Sequence, residues 1–283
     1  MGRIQSALSK ARREATQAKA KAGDRGANAN TTQALYSEEL REKIDVTPRP
    51  ELLEHACAVT LDPVILNANR IRGIESSEPG EAAYKMLRTR VLHRMRSNNW
   101  QKLAISSPRA GAGKTLTAIN LAISLAHEPN QQVILVDLDL RNPSIGTYLG
   151  LEPKYGLGDH FKQDVGIEKV LIKPTNLRRL YIVPGSERSE HSSELLASRK
   201  MDILTQTLVL TSPSTIVIFD MPPLLEADDM LTFMPQVDAV LFVVAQSETT
   251  RGDLERSNEL FKELSVLGTV LNKSGDEAPS EYY

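Results

Sequence analysis

Residues 106–115 have the sequence SSPRAGAGKT and connect a short apolar run to a stretch of helical periodicity. Glycines in such a loop let backbone N–H groups curl around phosphate oxygens, and the N-terminus of the following helix adds positive potential. Lys114 is placed to reach the β- and γ-phosphates of a nucleotide, and the Thr115 hydroxyl to ligate Mg²⁺. Pro108 replaces the first glycine of the general pattern. The flanking strand and helix still favour a phosphate-binding loop over an ordinary glycine-rich turn.

Two carboxylates end the next predicted strand, in the segment VILVDLDLR at residues 133–141. Asp137 and Asp139 are two positions apart, so an extended strand puts both side chains on the same side. They lie at the carboxyl end of the strand, where open α/β sheets bind ligands. Carboxylates that repel each other need a shared cation or proton, and Mg²⁺ is the natural candidate. The alternative, two exposed acids in a loop, is weakened by the phosphate-binding loop upstream.

A third signal is TIVIFDMPP at residues 215–223, a buried strand that ends in an acid. Asp220 matches the acid that holds a Mg²⁺ water in the Walker B arrangement. Pro222 and Pro223 end the strand because neither can donate a hydrogen bond to the ladder. Three such signals in this order on one α/β pattern predict a site for Mg-ATP.

Short apolar runs alternate with helical stretches after residue 100. Strands that are apolar on both faces are typical of a parallel sheet covered by helices on both sides. We therefore predict an α/β P-loop NTPase fold with a mostly parallel, doubly wound sheet and helices on both faces, plus a helical N-terminal extension. The predicted strands are 103–106, 133–136, 180–183, 215–219, 239–245 and 266–271, and the predicted helices are 115–126, 193–209 and 253–264.

Four segments are expected along the chain. Residues 1–45 form a basic helical or disordered arm, which is either solvated or docks on a partner or an anionic membrane surface. Residues 46–99 contain a linker and a basic helix that starts near Glu81. The P-loop domain spans residues 100–272, and residues 273–283 form a flexible polar tail.

The tail ends in two adjacent tyrosines, Tyr282 and Tyr283, which contribute nothing to a core. One interpretation is an uninformative terminus, and the other is a pair of phosphate acceptors. Because a tyrosine hydroxyl has a pKa near 10, its phosphorylation favours a base nearby. Asp137 or Asp139 is placed to be that base.

Composition excludes several classes of protein. A formal net charge of −2 over 283 residues gives no whole-protein case for nucleic-acid binding. Cys57 is the one cysteine, which rules out an internal disulfide and a Cys-rich metal site. The apolar run at residues 239–245 is far shorter than the roughly 20 residues of a membrane-spanning helix. Since the N-terminus carries no apolar stretch typical of a signal peptide, we expect a cytoplasmic protein.

Together these residues resemble the bacterial tyrosine kinases that control capsule and exopolysaccharide synthesis. That family has a deviant P-loop, an Asp-x-Asp-x-Arg motif, a Walker B segment ending in Asp-x-Pro-Pro and a C-terminal tyrosine cluster. The resemblance covers about residues 81–283 and is most specific in the Asp-x-Asp-x-Arg motif. The matching positions here are 111–115, Asp137, Asp139 and Arg141, residues 220–223, and Tyr282 and Tyr283.

The resemblance implies an ATP-dependent protein-tyrosine autokinase that regulates exopolysaccharide or capsule polymerisation or export. It implies catalytic roles for Lys114, Asp137 and Asp139, with Asp137 as the first choice for the base. It assigns Mg²⁺ to Thr115, Asp139 and Asp220, and phosphate acceptance to Tyr282 and Tyr283. The implied nucleotide-binding residues are Gly111, Ala112, Gly113, Lys114, Thr115, Leu116 and Arg141.

The resemblance also implies partners. Family members phosphorylate each other's tails within a ring, and a membrane-bound chain-length regulator of the polysaccharide machinery activates them. This sequence resembles the form in which that activator is a separate protein, so we expect a homo-oligomer at the inner face of the cell membrane. The family's assembly helix carries Glu-x-x-Arg-x-x-Arg, whereas Ala82, Lys85 and Arg88 stand at those positions here.

Two alternatives are open from the sequence. An ATPase that positions cell-division or plasmid components resembles this chain in fold, but Arg109 occupies the place of its signature lysine. A nucleotide-dependent scaffold without kinase activity is favoured by the altered assembly helix and the short tyrosine pair. Iron–sulfur relatives require paired cysteines, and Cys57 is alone.

Overall fold

The computed structural model of the chain describes residues 48–72, 79–261 and 265–274. The predicted N-terminal arm and the tail tyrosines Tyr282 and Tyr283 lie outside these ranges. The strands are β1 (Cys57–Val59), β2 (Lys102–Ser106), β3 (Gln132–Asp137), β4 (Ile172–Pro174), β5 (Leu180–Val183), β6 (Thr215–Asp220), β7 (Ala239–Ala245) and β8 (Val266–Asn272).

Helices occupy most of the intervals between strands, and the short turn Met234–Gln236 is a 3₁₀ helix. The helices are α1 (Glu51–Glu54), α2 (Pro63–Ala68), α3 (Pro79–Ser97), α4 (Lys114–Ala126), α5 (Ile145–Leu149), α6 (Leu157–Gln163), α7 (Ile167–Val170), α8 (Ser192–Leu196), α9 (Arg199–Val209), α10 (Asp229–Phe233) and α11 (Arg251–Leu260). No helix within the described ranges has the length and apolar character needed to cross a bilayer.

The eight strands form one sheet in the order β1-β4-β5-β3-β6-β2-β7-β8. Neighbouring strands are parallel except β4 and β5, which are antiparallel. The carboxyl ends of β2, β3 and β6 therefore meet at one edge of the sheet, because β6 lies between the other two. The three motifs that follow β2, β3 and β6 are therefore neighbours at this edge.

The core lies on both faces of the sheet. Leu103 and Ile105 of β2 pack in one apolar cluster, whereas Ala104 between them packs in the other. Strict alternation along a strand produces this division. On the first face lies α4, in which eleven of thirteen residues are buried. A helix that is apolar on most sides is buried in this way. Because α4 is packed in the core, its first residues have a fixed position at the end of the phosphate-binding loop.

The predicted α/β P-loop fold with its mostly parallel sheet is confirmed, and all six predicted strands are present. The helix predicted at 193–209 is instead two helices, α8 and α9. The first ends at Leu196. Ser198 caps the second, since its hydroxyl accepts a hydrogen bond from the N–H of Met201 at 3.3 Å. A serine N-cap satisfies a donor that a continuous helix would have bonded internally.

The sheet and core extend into the segment before residue 100. Strand β1 pairs with β4, and the side chains of Leu61, Leu66 and Ile71 are buried in the cluster beneath α4. The sequence predicts a linker in this region. The difference arises because β1 is three residues long and its first two side chains are exposed, so it carries no apolar alternation.

The basic helix expected near Glu81 is α3. Val91, Leu92 and Met95 are buried on the face that packs on the core. Arg88 lies between α3 and α4, where its Nη1 donates to the carbonyl of Ser124 at 3.2 Å. Its Nε lies 2.9 Å from Oε1 of Glu128. The one arginine retained from the family's assembly motif is therefore bonded within its own chain.

Replacing Leu121 with alanine should test the role of α4 in the core. Leu121 is fully buried, so the substitution leaves a cavity and should lower the free energy of unfolding by about 2–5 kcal/mol. Leu254→Ala on α11 is the matched control, since Leu254 is 40 % exposed and should cost about 1 kcal/mol or less. Urea unfolding monitored by circular dichroism measures both changes. Equal losses would contradict this account of the core.

Candidate active site

The loop between β2 and α4 has a backbone that only glycine adopts readily at two positions. Gly111 and Gly113 have φ values of +80° and +90°, where a side chain is strained. Asn272, the last residue of β8, donates from its Nδ2 to the carbonyl of Ala112 at 2.9 Å. A Cβ at Gly113 would collide with that amide, so β8 lies directly over the loop.

Lys114 begins α4 and reaches into a cluster of acids. Its Nζ is 2.7 Å from Oδ2 of Asp139 and 4.0 Å from Oδ1 of Asp220. Burial lowers the pKa of Lys114, but attraction to Asp220 and Asp139 outweighs burial and raises the pKa above its ordinary value. The ammonium group is thus charged and lies at the start of the helix, where phosphate oxygens would bind.

Asp220 ends β6 and is fully buried. The Thr115 hydroxyl donates to its Oδ2 at 2.7 Å, and its Oδ1 has no hydrogen-bond partner. Burial raises the pKa of Asp220 to about 6, against the opposing attraction of Lys114. The predicted Walker B acid and the P-loop hydroxyl are therefore in direct contact.

Asp137 ends β3 and lies directly opposite Asp220 in the β3–β6 ladder. Its Oδ2 accepts the backbone N–H groups of Ser144 and Ile145, both at 2.9 Å. Its Oδ1 is buried and has no partner. Burial, and then repulsion by Asp220, raise the pKa of Asp137 to about 7. A carboxylate with one free oxygen and a pKa near the working pH suits a general base.

Asp139 follows the strand and is almost completely buried. Its Oδ1 accepts the N–H of Asn142 at 3.1 Å, while its Oδ2 binds Lys114. Both of its oxygens thus accept hydrogen bonds, whereas Asp137 and Asp220 each have one oxygen that accepts none. Asp139 contacts Lys114 of the P-loop directly, and Asp137 lies close enough to contribute to the raised pKa of Lys114. The roles of the two acids stay a prediction.

The oxygen-rich cluster fits Mg²⁺. Two buried carboxylate oxygens, on Asp137 and Asp220, accept no hydrogen bond, and the Thr115 hydroxyl lies beside Asp220. Mg²⁺ is held by one or two carboxylates, with water and phosphate completing the shell. Within the described ranges, no group of three or more His, Cys, Asp or Glu side chains is arranged to hold a metal alone. Thr115 and Asp220 would hold the ion. Asp139, the third predicted ligand, accepts a hydrogen bond from Lys114 through Oδ2, and its ligation of the ion stays a prediction.

Several contacts around the site were not predicted from the sequence. A Cβ at Gly185 would come within 3.5 Å of Cγ of Asp137 and would collide with Pro143. The Pro184-Gly185 pair directly after β5 is the signal that marked this close approach. Gly185 therefore permits Pro143 and Asp137 to occupy their positions.

The side chain of Arg109, in the phosphate-binding loop, contacts α11. Its Nε and Nη2 are each 3.0 Å from Oδ1 of Asp253. The other oxygen of that carboxylate, Oδ2, accepts a hydrogen bond from the hydroxyl of Thr250 at the start of α11. Hydrogen bonds from Thr250 and Arg109 hold the pKa of Asp253 well below its usual range. The residue at the signature-lysine position thus joins the loop to α11.

The remaining predicted nucleotide-binding residues are Ala112, Leu116 and Arg141, and their contacts in the structure are with other parts of the protein. Leu116 packs against the core cluster, and Ala112 is buried beneath Asn272. The described contacts of Arg141 are with Asp228, Asp229 and Ser192. A nucleotide contact by Leu116 or Arg141 stays a prediction. In the described structure the Arg141 guanidinium is bonded to Asp228 and Asp229 instead.

Comparison with known proteins identifies relatives of this chain. A family described as "ParA: NUBPL iron-transfer P-loop NTPase" matches residues 98–281. The tyrosine-protein kinase YwqD of Bacillus subtilis is 26 % identical over 219 residues, which cover 77 % of this chain and 91 % of that protein. The tyrosine-protein kinase CpsD of Streptococcus pneumoniae is 27 % identical over 203 residues, covering 71 % and 87 %.

The fold of a solved structure is also similar. The chimerical protein CapA2B2 superposes with a TM-score of 0.67 at 23 % identity, over 78 % of this chain and 94 % of that one. At this identity the likeness supports the shared fold.

The acids of the site should make stability depend on pH. The folded-state pKa of Asp137 is raised from 3.8 to about 7, so its contribution to stability is complete below about pH 4 and is lost as the pH rises to about 7. Asp137→Asn removes this titration. Relative to that variant, the wild type should lose on the order of 1 kcal/mol or more of unfolding free energy between these limits.

Urea unfolding in the presence of EDTA measures this difference. Glu152→Gln is the control, because Glu152 is exposed and its removal should leave the pH dependence of the wild type unchanged. A wild type and an Asp137→Asn variant with parallel pH profiles would show that Asp137 is not desolvated.

Proposed function

Because the chain belongs to the ParA family of P-loop NTPases and, within it, to the bacterial tyrosine kinases, we propose that it is an ATP-dependent protein-tyrosine autokinase. Its proposed role is to regulate the polymerisation or export of an exopolysaccharide or capsule. The observation that carries the proposal is the buried Asp137, with one free oxygen, beside Lys114 and the Thr115–Asp220 pair. The residues proposed as the base, the phosphate-binding cation and the metal-binding pair thus lie close together.

The proposed reaction transfers the γ-phosphoryl group of ATP to a tyrosine. The tyrosine oxygen forms a bond to the γ-phosphorus while the bond from that phosphorus to the β–γ bridging oxygen breaks, and ADP leaves. Asp137 accepts the proton of the tyrosine hydroxyl. Lys114 and the N–H groups of the loop orient the phosphates. Mg²⁺, when bound, neutralises charge on the β- and γ-phosphate oxygens.

The hydrogen bonds of Asp137 support its role as the base. Two backbone N–H groups hold its Oδ2 and fix its orientation, while its pKa of about 7 matches a physiological pH. Asp139 is bound to Lys114 and is the less suitable proton acceptor while that contact persists. We therefore keep Asp137 as the base in the proposal.

The proposal includes the partners that the resemblance implies. These are further copies of the chain and a separate membrane-bound chain-length regulator, at the inner face of the cell membrane. Iron transfer, which is named in the description of the matched family, is not proposed. Iron–sulfur clusters are held by several thiolates, and the chain has the single cysteine Cys57, exposed in β1.

A positioning ATPase would share this fold and P-loop. The Arg109 guanidinium is bonded to Asp253 and Arg256 is bonded to the same carboxylate, so Arg109 is part of a local network on α11. This arrangement favours the kinase over an ATPase that needs a free lysine ammonium at that position.

Replacing Lys114 with methionine should abolish phosphotyrosine formation. The side chain is the cation nearest to the acids, and removal of such an electrostatic group costs about 10²–10³-fold in rate. Intact-mass analysis after incubation with Mg-ATP, with fragmentation to locate the phosphate, measures the product. Lys162→Met, at an exposed lysine of α6, is the control and should retain full activity. Full phosphorylation of the Lys114 variant would contradict the site.

Replacing Tyr282 and Tyr283 with phenylalanine should remove most self-phosphorylation and leave ATP binding intact. The acceptors are then absent, whereas the P-loop is unchanged. Tyr155→Phe is the control and should label normally. Unchanged labelling in the double variant would place the acceptor elsewhere. ATP hydrolysis without phosphotyrosine in the wild type would indicate a positioning ATPase, and nucleotide binding without either reaction would indicate a scaffold.

A further inference from the structure

Arg141 makes the densest set of polar contacts beside the site. Its Nε donates to Oγ of Ser192 at 3.1 Å and to Oδ1 of Asp229 at 3.2 Å. Its Nη2 donates to the same oxygen of Asp229 at 3.0 Å and to Asp228 at 3.2 Å. Asp229 and Ser192 are completely buried, whereas Asp228 is 65 % exposed and adds little. The guanidinium therefore joins the starts of α8 and α10.

The loop that carries Arg141 also orients both catalytic acids. The N–H of Asn142, the next residue, donates to Asp139. The N–H groups of Ser144 and Ile145 donate to Asp137. A movement of this loop would rotate the two carboxylates, because their hydrogen bonds come from its main chain.

The segment that precedes Asp229, the partner of Arg141, is hydrogen-bonded to the phosphate-binding loop. The segment between β6 and α10 runs from residue 221 to residue 228. The N–H of Leu224 donates to the carbonyl of Ser107 at 2.8 Å, and that of Leu225 to the carbonyl of Pro108 at 3.1 Å. The N–H of Ala110 donates to Oε1 of Glu226 at 3.2 Å. Asp229 thus follows a segment that is bonded along the P-loop.

We propose that Arg141 is a positioning residue for phosphoryl transfer, which sets the Asp137 and Asp139 carboxylates in register with the P-loop by binding Asp229 and Ser192. The inference rests on the proposed function. Arg141 links the acidic loop to the segment that is bonded to the P-loop, so one guanidinium restrains the loop that orients the two carboxylates relative to the P-loop. The planar guanidinium is needed because a lysine ammonium cannot donate to Ser192, Asp228 and Asp229 in the same geometry.

The test compares three variants of the full-length chain. Arg141→Met removes the link and leaves the buried Asp229 without a counter-charge, which lowers stability. Arg141→Met combined with Asp229→Asn removes the unpaired charge as well. Arg141→Lys keeps the charge without the fork. Arg178→Met, at an exposed arginine before β5 and thus at the opposite end of the strands, is the matched control.

If Arg141 is a positioning residue, the double variant should regain thermal stability without regaining the rate of phosphoryl transfer. The melting temperature should fall in Arg141→Met and recover in the double variant. The kcat for phosphotyrosine formation should fall about 10²-fold in both, with the KM for ATP unchanged, and should be intermediate in Arg141→Lys. The Arg178 variant should match the wild type in every measurement.

Two results would overturn the inference. A kcat that recovers together with the melting temperature in the double variant would make Arg141 a purely structural residue. A raised KM for ATP with an unchanged kcat would make it a nucleotide contact. If the wild type forms no phosphotyrosine, the proposed kinase function fails, and the same comparison of kcat made on ADP formation decides the role of Arg141.

Discussion

Asp137 and Asp220 are paired across β3 and β6, so the ladder of the sheet itself fixes two carboxylates side by side in the interior. Burying such a pair is costly unless protons or cations offset the repulsion. The raised pKa values of both acids express that cost. Lys114 supplies one positive charge, and the free oxygens of the pair are suited to a metal ion. A bound cation would therefore offset the repulsion that remains between the two carboxylates.

Contacts around Asp137 and Asp220 hold the two carboxylates in place despite their mutual repulsion. Backbone N–H groups hold one oxygen of Asp137, and the Thr115 hydroxyl holds one oxygen of Asp220. Gly185 allows Pro143 to lie against Asp137. These contacts come from the segments that follow β2, β3 and β5. The geometry of the acidic cluster consequently depends on how those segments contact one another, as well as on the strands that carry the acids.

The sequence predicts the part of the structure that is encoded locally. Strands β2, β3, β5, β6 and β7 are buried along almost their whole length, and each nucleotide-site motif lies within ten consecutive residues. Contacts between distant segments were not predictable in this way. Arg141 meets Asp229 across 88 positions, and nothing in the spacing of either residue indicates the other. Strand β1 was missed because its pairing with β4, rather than its own pattern, makes it a strand.

The amide of Asn272 lies over the P-loop, and this contact limits the distances available in any assembly. Tyr282 follows ten positions later, and ten extended residues span at most about 36 Å. The Cα of Tyr282 therefore stays within a sphere of that radius around Asn272, beside the P-loop of its own chain. If Tyr282 is exchanged between copies, the P-loop that receives it must lie within this radius plus the length of the side chain, so the number of residues between Asn272 and Tyr282 sets an upper bound on the spacing of neighbouring P-loops.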